Sequence, residues 1–285
     1  MALILSAASG NFNAGATWVG GIVPGASDEA RASTGHTVTI TANVTCTELS
    51  NAGTGTFVLN SGVTLTANVT NKSTTASVNC LTFSAASPAT ANIVGICTGG
   101  SVAAATGVLN NGTGSLSVTG AAVGGSFSTA SGITQTSSGS VTFTGNSTGS
   151  TGSGCGNTGA STGTFTINGN VLAAANNGAF NNGAGTLVIV GSVTAAAAAG
   201  ILNFSTGSVT ITGNVLAAAA TGVSNASTGS VTITGSITAS TSAGVTNSST
   251  ATLTISGGTY TASTVANAVT STNASSVVRA SGSFI

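Results

Sequence analysis

GTFTINGNVLAAANNGAFNNGA, Gly163 to Ala184, decides the fold, because three further copies follow it without a gap. They read GTLVIVGSVTAAAAAGILNFST (Gly185–Thr206), GSVTITGNVLAAAATGVSNAST (Gly207–Thr228) and GSVTITGSITASTSAGVTNSST (Gly229–Thr250). A weaker copy, ATLTISGGTYTASTVANAVTST, closes the series. One column stays fixed at the 22-residue spacing: Asn181, Asn203, Asn225 and Asn247. It extends back to Asn157 and, further, to Asn110. A period of this length marks a stack of structural repeats, each burying its apolar face against the next.

Working outward, a second column carries the repeat toward the N-terminus. TITANV (Thr39–Val44) recurs as TLTANV (Thr64–Val69) and ATANI (Ala89–Ile93), and then as the TITGNV-like segments of the four copies. Its marker falls at Asn43, Asn68, Asn92, Ala121, Asn146, Asn170, Ser192, Asn214, Ser236 and Gly258, which predicts ten coils. Before each marker apolar and hydroxyl residues alternate, from Val38/Ile40 and Val63/Leu65 to Val231/Ile233 and Leu253/Ile255, with threonines between. Period-2 alternation puts one face inward and the other outward. A second strand is expected at Val171–Ala173 and its equivalents, and a third leads up to the asparagine column. The fold class is therefore all-β, a single-stranded parallel β-helix (β-solenoid) of about ten coils. Its right-handed winding is taken from the class. At ~4.8 Å per rung the coils make a rod of about 48 Å.

The asparagine column reads as a turn ladder, with stacked amides bonding along the axis at Asn157, Asn181, Asn203, Asn225 and Asn247. The outward threonines Thr142/Thr144, Thr210/Thr212 and Thr232/Thr234 form a candidate binding face.

Only 3 Lys+Arg and 3 Asp+Glu occur among 285 residues, and formal net charge is zero. A charged fraction of 2% compares with about 25% in ordinary domains. Such a surface has no electrostatic footprint for nucleic acid, and it lacks the repulsion that keeps proteins apart. Self-association is thus expected, as a homo-oligomer of which a trimer is one arrangement. Carboxylate chemistry is confined to Asp28, Glu29 and Glu48, and neither acid nor base lies between Lys72 and Arg279. A two-carboxylate glycosidase or a calcium-dependent lyase cannot be assembled on the coils. The single His36 reads as a turn residue, and the glycine-rich GSTGSGCGNTGAST lacks the Lys of a phosphate loop. Cys46, Cys80, Cys97 and Cys155 form no metal-binding spacing and read as buried free thiols. No enzyme activity, cofactor or metal is expected. The N-terminal apolar run is too short for a cleaved leader, and no stretch is long enough to span a membrane as a helix.

Residues 1–35 fall outside the repeat and hold the only Trp, Trp18. They read as an N-terminal cap or attachment segment, with the coils at 36–272 and a C-terminal cap or docking tail at 273–285. Within this region Thr17, Trp18, Gly20, Gly21, Pro24, Asp28, Gly35, His36, Val38 and Ile40 follow the pattern T-W-x-G-G-x-x-P-x-x-x-D, then G-H-x-V-x-I. This resembles the opening of bacterial and phage β-solenoid surface and fibre proteins, although Arg31 and Ala32 depart from the usual apolar strand. The resemblance covers about 25 residues and implies a capped parallel β-helix rather than an activity. The leading expectation is a structural virion protein, a bacteriophage fibre, spike or decoration protein on the particle surface that contacts other virion proteins and host glycan. The alternatives are a bacterial surface or secreted adhesin or filament subunit, and an ice-binding solenoid using the threonine rows.

Overall fold

The computed structural model describes residues 1–74, 78–83, 90–102, 105–126, 130–159, 161–248, 251–262, 269–271, 277–279 and 283–284. Each regular coil contains three strands. In one they are Thr164–Asn168, Val171–Ala173 and Ala179–Asn181, and in the next Thr186–Val190, Val193–Ala195 and Ile201–Asn203. The first two strands of every coil stack into a 19-stranded sheet, and the third strands stack into a 12-stranded sheet. In earlier coils the first two strands run through the bend unbroken, as in Ser140–Gly149. All strand pairing is parallel, apart from an isolated antiparallel bridge between Ser6 and Trp18. The chain is an all-β parallel β-solenoid of about eleven turns, whose only described helix is two short 3-10 segments, Gly15–Thr17 and Val19–Gly21.

The sequence period explains the core. Leu187, Ile189, Val193, Ala195, Ile201 and Asn203 all point inward in one coil and are fully buried. The coils above and below supply residues at the same six positions, so apolar stacks on apolar: Ile189 on Ile167 and Ile211, Ala195 on Ala173 and Ala217, Leu187 on Phe165 and Val209. Burial of each such aliphatic chain contributes about 1.5–3 kcal/mol. The threonines between them face out, where β-branched residues favour an extended backbone.

Glycine sets the bend between the first two strands. Gly213 has φ +151° and its equivalents Gly191 and Gly235 lie at +157° and +148°. A Cβ at Gly213 would overlap the carbonyl oxygen of Gly191 one rung away. The bend thus needs glycine both for its backbone angle and for the close approach of stacked coils.

Register corrects three expectations from the sequence. Thr37–Ile40 does not open the first-strand column. It lies in the other sheet, between Gly10–Asn11 and Thr56–Leu59, with Val38 on Phe57 and Ile40 on Leu59. Asn43 does not stack on Asn68 either, since Val44 pairs with Leu65 and Glu48 with Asn68. The marker in the following coil is Ile96 rather than Asn92, because Asn92 pairs with Ser117 and Ile96 with Ala121. Alternating segments look alike in both sheets, and coils of unequal length break the spacing that would have separated them. Ala121 keeps its expected place, paired with Asn146.

The solenoid also begins before residue 36. Leu3–Leu5 pairs with Glu29–Ala32, which pairs in turn with Val44–Asn51. Arg31 and Ala32 belong to a regular strand, with Ala30 and Ala32 buried. Trp18 is buried beside Phe12, ring centroids 5.1 Å apart and edge to face, and its Nε1–H donates to the Phe12 carbonyl at 2.6 Å. In the expected C-terminal segment the described strands Val277–Arg279 and Ser283–Phe284 pair with Leu253–Ser256 and Thr259–Ala262. Residues 272–276, 280–282 and 285 lie outside the described residues.

Candidate functional site

The inward asparagines form a continuous amide ladder. Asn157 Nδ2 donates to Asn181 Oδ1 at 3.2 Å, Asn181 to Asn203 at 3.1 Å, Asn203 to Asn225 at 2.9 Å and Asn225 to Asn247 at 2.8 Å. The second hydrogens of Asn181, Asn203 and Asn225 go to the carbonyls of Gly185, Gly207 and Gly229, each four residues on. These asparagines end strands and are buried, so the ladder ties the last inward position of one strand to the turn that follows and to the next coil. A buried primary amide has two donors to satisfy, and this geometry satisfies both.

Below Asn157 the column is held by Gln135 and then Asn110, in register with it. The extra methylene of Gln135 breaks the pattern. Its Nε2 donates to the Gly139 carbonyl and to Ser161 Oγ, while its buried Oε1 has no partner.

A second ladder runs along the outer bend, and the sequence marked its column without showing its role. Asn146, Asn170 and Asn214 each accept, through Oδ1, the backbone N–H of the marker residue one coil on: Asn170 at 3.0 Å, Ser192 at 2.9 Å and Ser236 at 2.9 Å. Asn68 does the same for Ile96 at 3.0 Å. The glycine before each marker turns the backbone so that this N–H has no sheet partner, and the side chain from the coil before supplies one.

Charge is concentrated in the first coils. Glu29 pairs in register with Glu48, and Lys72 bridges them at 2.8 and 3.1 Å. Arg31 reaches Glu29 at 2.6 Å, and Ser50 Oγ donates to the same carboxylate at 2.5 Å. Burial pushes the Glu29 carboxyl up, but the hydrogen bonds from Lys72, Ser50 and Arg31 outweigh it and hold the carboxyl down to about 2. Asp28 accepts the backbone N–H groups of Gly25 and Ala2, which lower its pKa. Ser6 Oγ lies 2.8 Å from His36 Nδ1 and accepts the Ser33 N–H. Each of these carboxylates, and the histidine, is thus tied into local structure. All four cysteines are buried and free, and burial raises Cys46, Cys97 and Cys155 to about 12.

The outward threonines are brought into two columns, though not into one unbroken face. Thr210 stacks on Thr232 and Thr212 on Thr234. Thr142 and Thr144 sit on the same columns but are separated from them by Thr166/Asn168 and Val188/Val190. Thr142, Thr144, Thr212 and Thr234 are exposed, while Thr210 and Thr232 are half-buried. Between Lys72 and Arg279 the outward positions therefore carry no charge and are rich in hydroxyls, and both ladders bond one coil to the next. No protein-family model matches the chain, and no curated protein and no solved structure shows significant similarity to it.

Proposed function

We propose that this chain is a structural rod on the outside of a virion, a fibre, spike or decoration protein of a bacteriophage, and that its hydroxyl-rich faces meet other particle proteins and host-surface glycan. It acts as a self-associating scaffold and not as an enzyme. The observation that carries this reading is the combination of a long, doubly laddered solenoid with ionisable side chains that are spent on one another in the first coils. Such a rod keeps its shape through backbone and amide hydrogen bonds, which need no particular pH or ion, and carries no acidic or basic side chain between Lys72 and Arg279.

Quantitative mass spectrometry of gradient-purified phage particles from the source organism tests this. The chain should be present at a fixed ratio to the capsid and tail proteins. Recovery in the bacterial envelope or medium, with none on particles, would contradict it and favour a cellular adhesin.

A further inference from the structure

Four asparagines of this chain precede glycine: Asn111, Asn168, Asn177 and Asn182. Such a pair carries latent chemistry. The glycine nitrogen sits next to the asparagine carboxamide, and the glycine has no Cβ to hinder its attack there. The fold treats the four pairs differently. Gly169 donates its N–H to the Val190 carbonyl at 3.0 Å, and Gly178 to the Gly200 carbonyl at 3.1 Å, each on the next coil. Gly112 donates to the Phe83 carbonyl at 3.1 Å and to Asn110 Oδ1 at 3.3 Å, and the Asn111 carboxamide accepts from Thr136 Oγ1 at 2.9 Å. In these three pairs a hydrogen bond must open before the nitrogen is free to react. The fourth pair is not held in this way. Asn182 is exposed, and among the described residues neither its carboxamide nor the Gly183 N–H has a hydrogen-bond partner. The backbone N–H of Asn182 is anchored to the Asn157 carbonyl at 3.0 Å, and Asn181 before it is locked in the amide ladder. The turn thus fixes the chain up to Asn182 and leaves free the two groups that react. In the next two coils the same places are taken by Phe204–Ser205 and Ala226–Ser227, which lack this pairing.

We infer that Asn182 is a site of spontaneous deamidation, and that among the Asn–Gly pairs of the folded chain it reacts first. The Gly183 nitrogen gives its proton to solvent and forms a bond to Asn182 Cγ. The Cγ–Nδ2 bond breaks, Nδ2 takes up protons and leaves as ammonia, and a five-membered succinimide remains. One water then opens that ring at either carbonyl, leaving aspartate or isoaspartate in the chain. The net change consumes one water, releases one ammonia and involves no oxidation or reduction. Its product is a carboxylate on the outer face of the 12-stranded sheet. No Asp, Glu, Lys or Arg lies between Lys72 and Arg279, so this reaction gives the body of the solenoid its first charge, at one defined coil and with time as the trigger. The inference does not depend on the chain's place on a virion.

Incubation of the full chain in warm, mildly alkaline buffer, sampled over time by fragmentation mass spectrometry, tests the assignment. Asn182 should convert about tenfold or more faster than Asn111, Asn168 and Asn177. In concentrated urea the four pairs should react at similar rates, because the bonds that protect three of them are gone. Gly183→Ser installs the residue that Ser205 and Ser227 supply in the next two coils, so the fold should persist and conversion should slow about tenfold. Asn182→Thr, matching Thr158 in the coil before, should remove the acidic band that appears on isoelectric focusing of the aged wild type. The proposal is overturned if Asn111, Asn168 or Asn177 reacts as fast as Asn182 in the folded chain. It is equally overturned if Asn182 stays an amide while the unfolded chain deamidates, or if Gly183→Ser leaves the rate unchanged.

Discussion

Asn203 gives one amide hydrogen to Asn225 Oδ1 at 2.9 Å and the other to the Gly207 carbonyl at 3.1 Å. It therefore closes its own turn and locks the next coil with a single side chain. Because Asn181 donates to Asn203 in turn, the ladder is polar and runs one way along the rod. Loss of one member takes an acceptor from the coil before and donors from the coil after.

Asn203→Ala should therefore destabilise more than an ordinary buried polar deletion. It leaves an Asn181 donor and the Gly207 carbonyl short of partners in a dry interior. We expect a loss of about 3 kcal/mol or more, and a fall in Tm of roughly 6–12 °C. Calorimetry of the variant checks this, and an unchanged Tm would show that the ladder adds nothing to stability.

Gln135→Asn should have the opposite sign. An asparagine there matches its neighbours Asn110 and Asn157 and removes the methylene that strands Oε1. A gain of about 1–2 kcal/mol, or a Tm rise of roughly 2–8 °C, is expected. A lower Tm would mean that Gln135 is held by packing rather than tolerated.

Gly213→Ala and Gly62→Ala separate two demands on glycine. Both positions have positive φ, +151° and +72°, but only at Gly213 does a Cβ meet backbone, the Gly191 carbonyl. Gly62→Ala should cost about 1–2 kcal/mol, from the backbone angle alone. Gly213→Ala should cost about 3 kcal/mol or more, since a stacked carbonyl cannot move aside. Equal losses would contradict the close-packed bend.

Stability should be level from about pH 5 to 9 and fall outside that range. Glu29 is depressed from 4.5 to about 2, so its contribution is complete above 4.5 and is lost as pH falls toward 2. The loss is on the order of 2–3 kcal/mol. The thiols are raised from 9.0, to about 12 for Cys46, Cys97 and Cys155, so their contribution is complete below pH 9 and is lost as pH rises toward 12. Denaturant midpoints across pH check both limbs. Glu29→Gln should flatten the acid limb and leave the alkaline one.

Strand positions and inward residues in the four regular copies were legible because period-2 alternation and a constant repeat agree there. In the first coils only the alternation survived, and it does not distinguish one sheet from the other. That is why Val38/Ile40 and Asn92 were placed in the wrong columns. The inner amide ladder showed itself as a fixed asparagine. The outer one did not, because its column alternates Asn with Ser, Ala and Ile and its donor is backbone. The Glu29–Lys72–Glu48 cluster was hidden for a similar reason: residues far apart in sequence meet only once the register is known. Phe204 sits beside the ladder residue Asn203, and its exposure follows from that neighbour's being inward.

The most direct test of the central claim is electron cryomicroscopy of native phage particles, with an antibody to the chain marking its position. Rods about 50 Å long should project from the capsid or tail, with an axial rung repeat of ~4.8 Å. Labelled particles on which the chain forms a globular or unstacked density, or particles with no label at all, would contradict it.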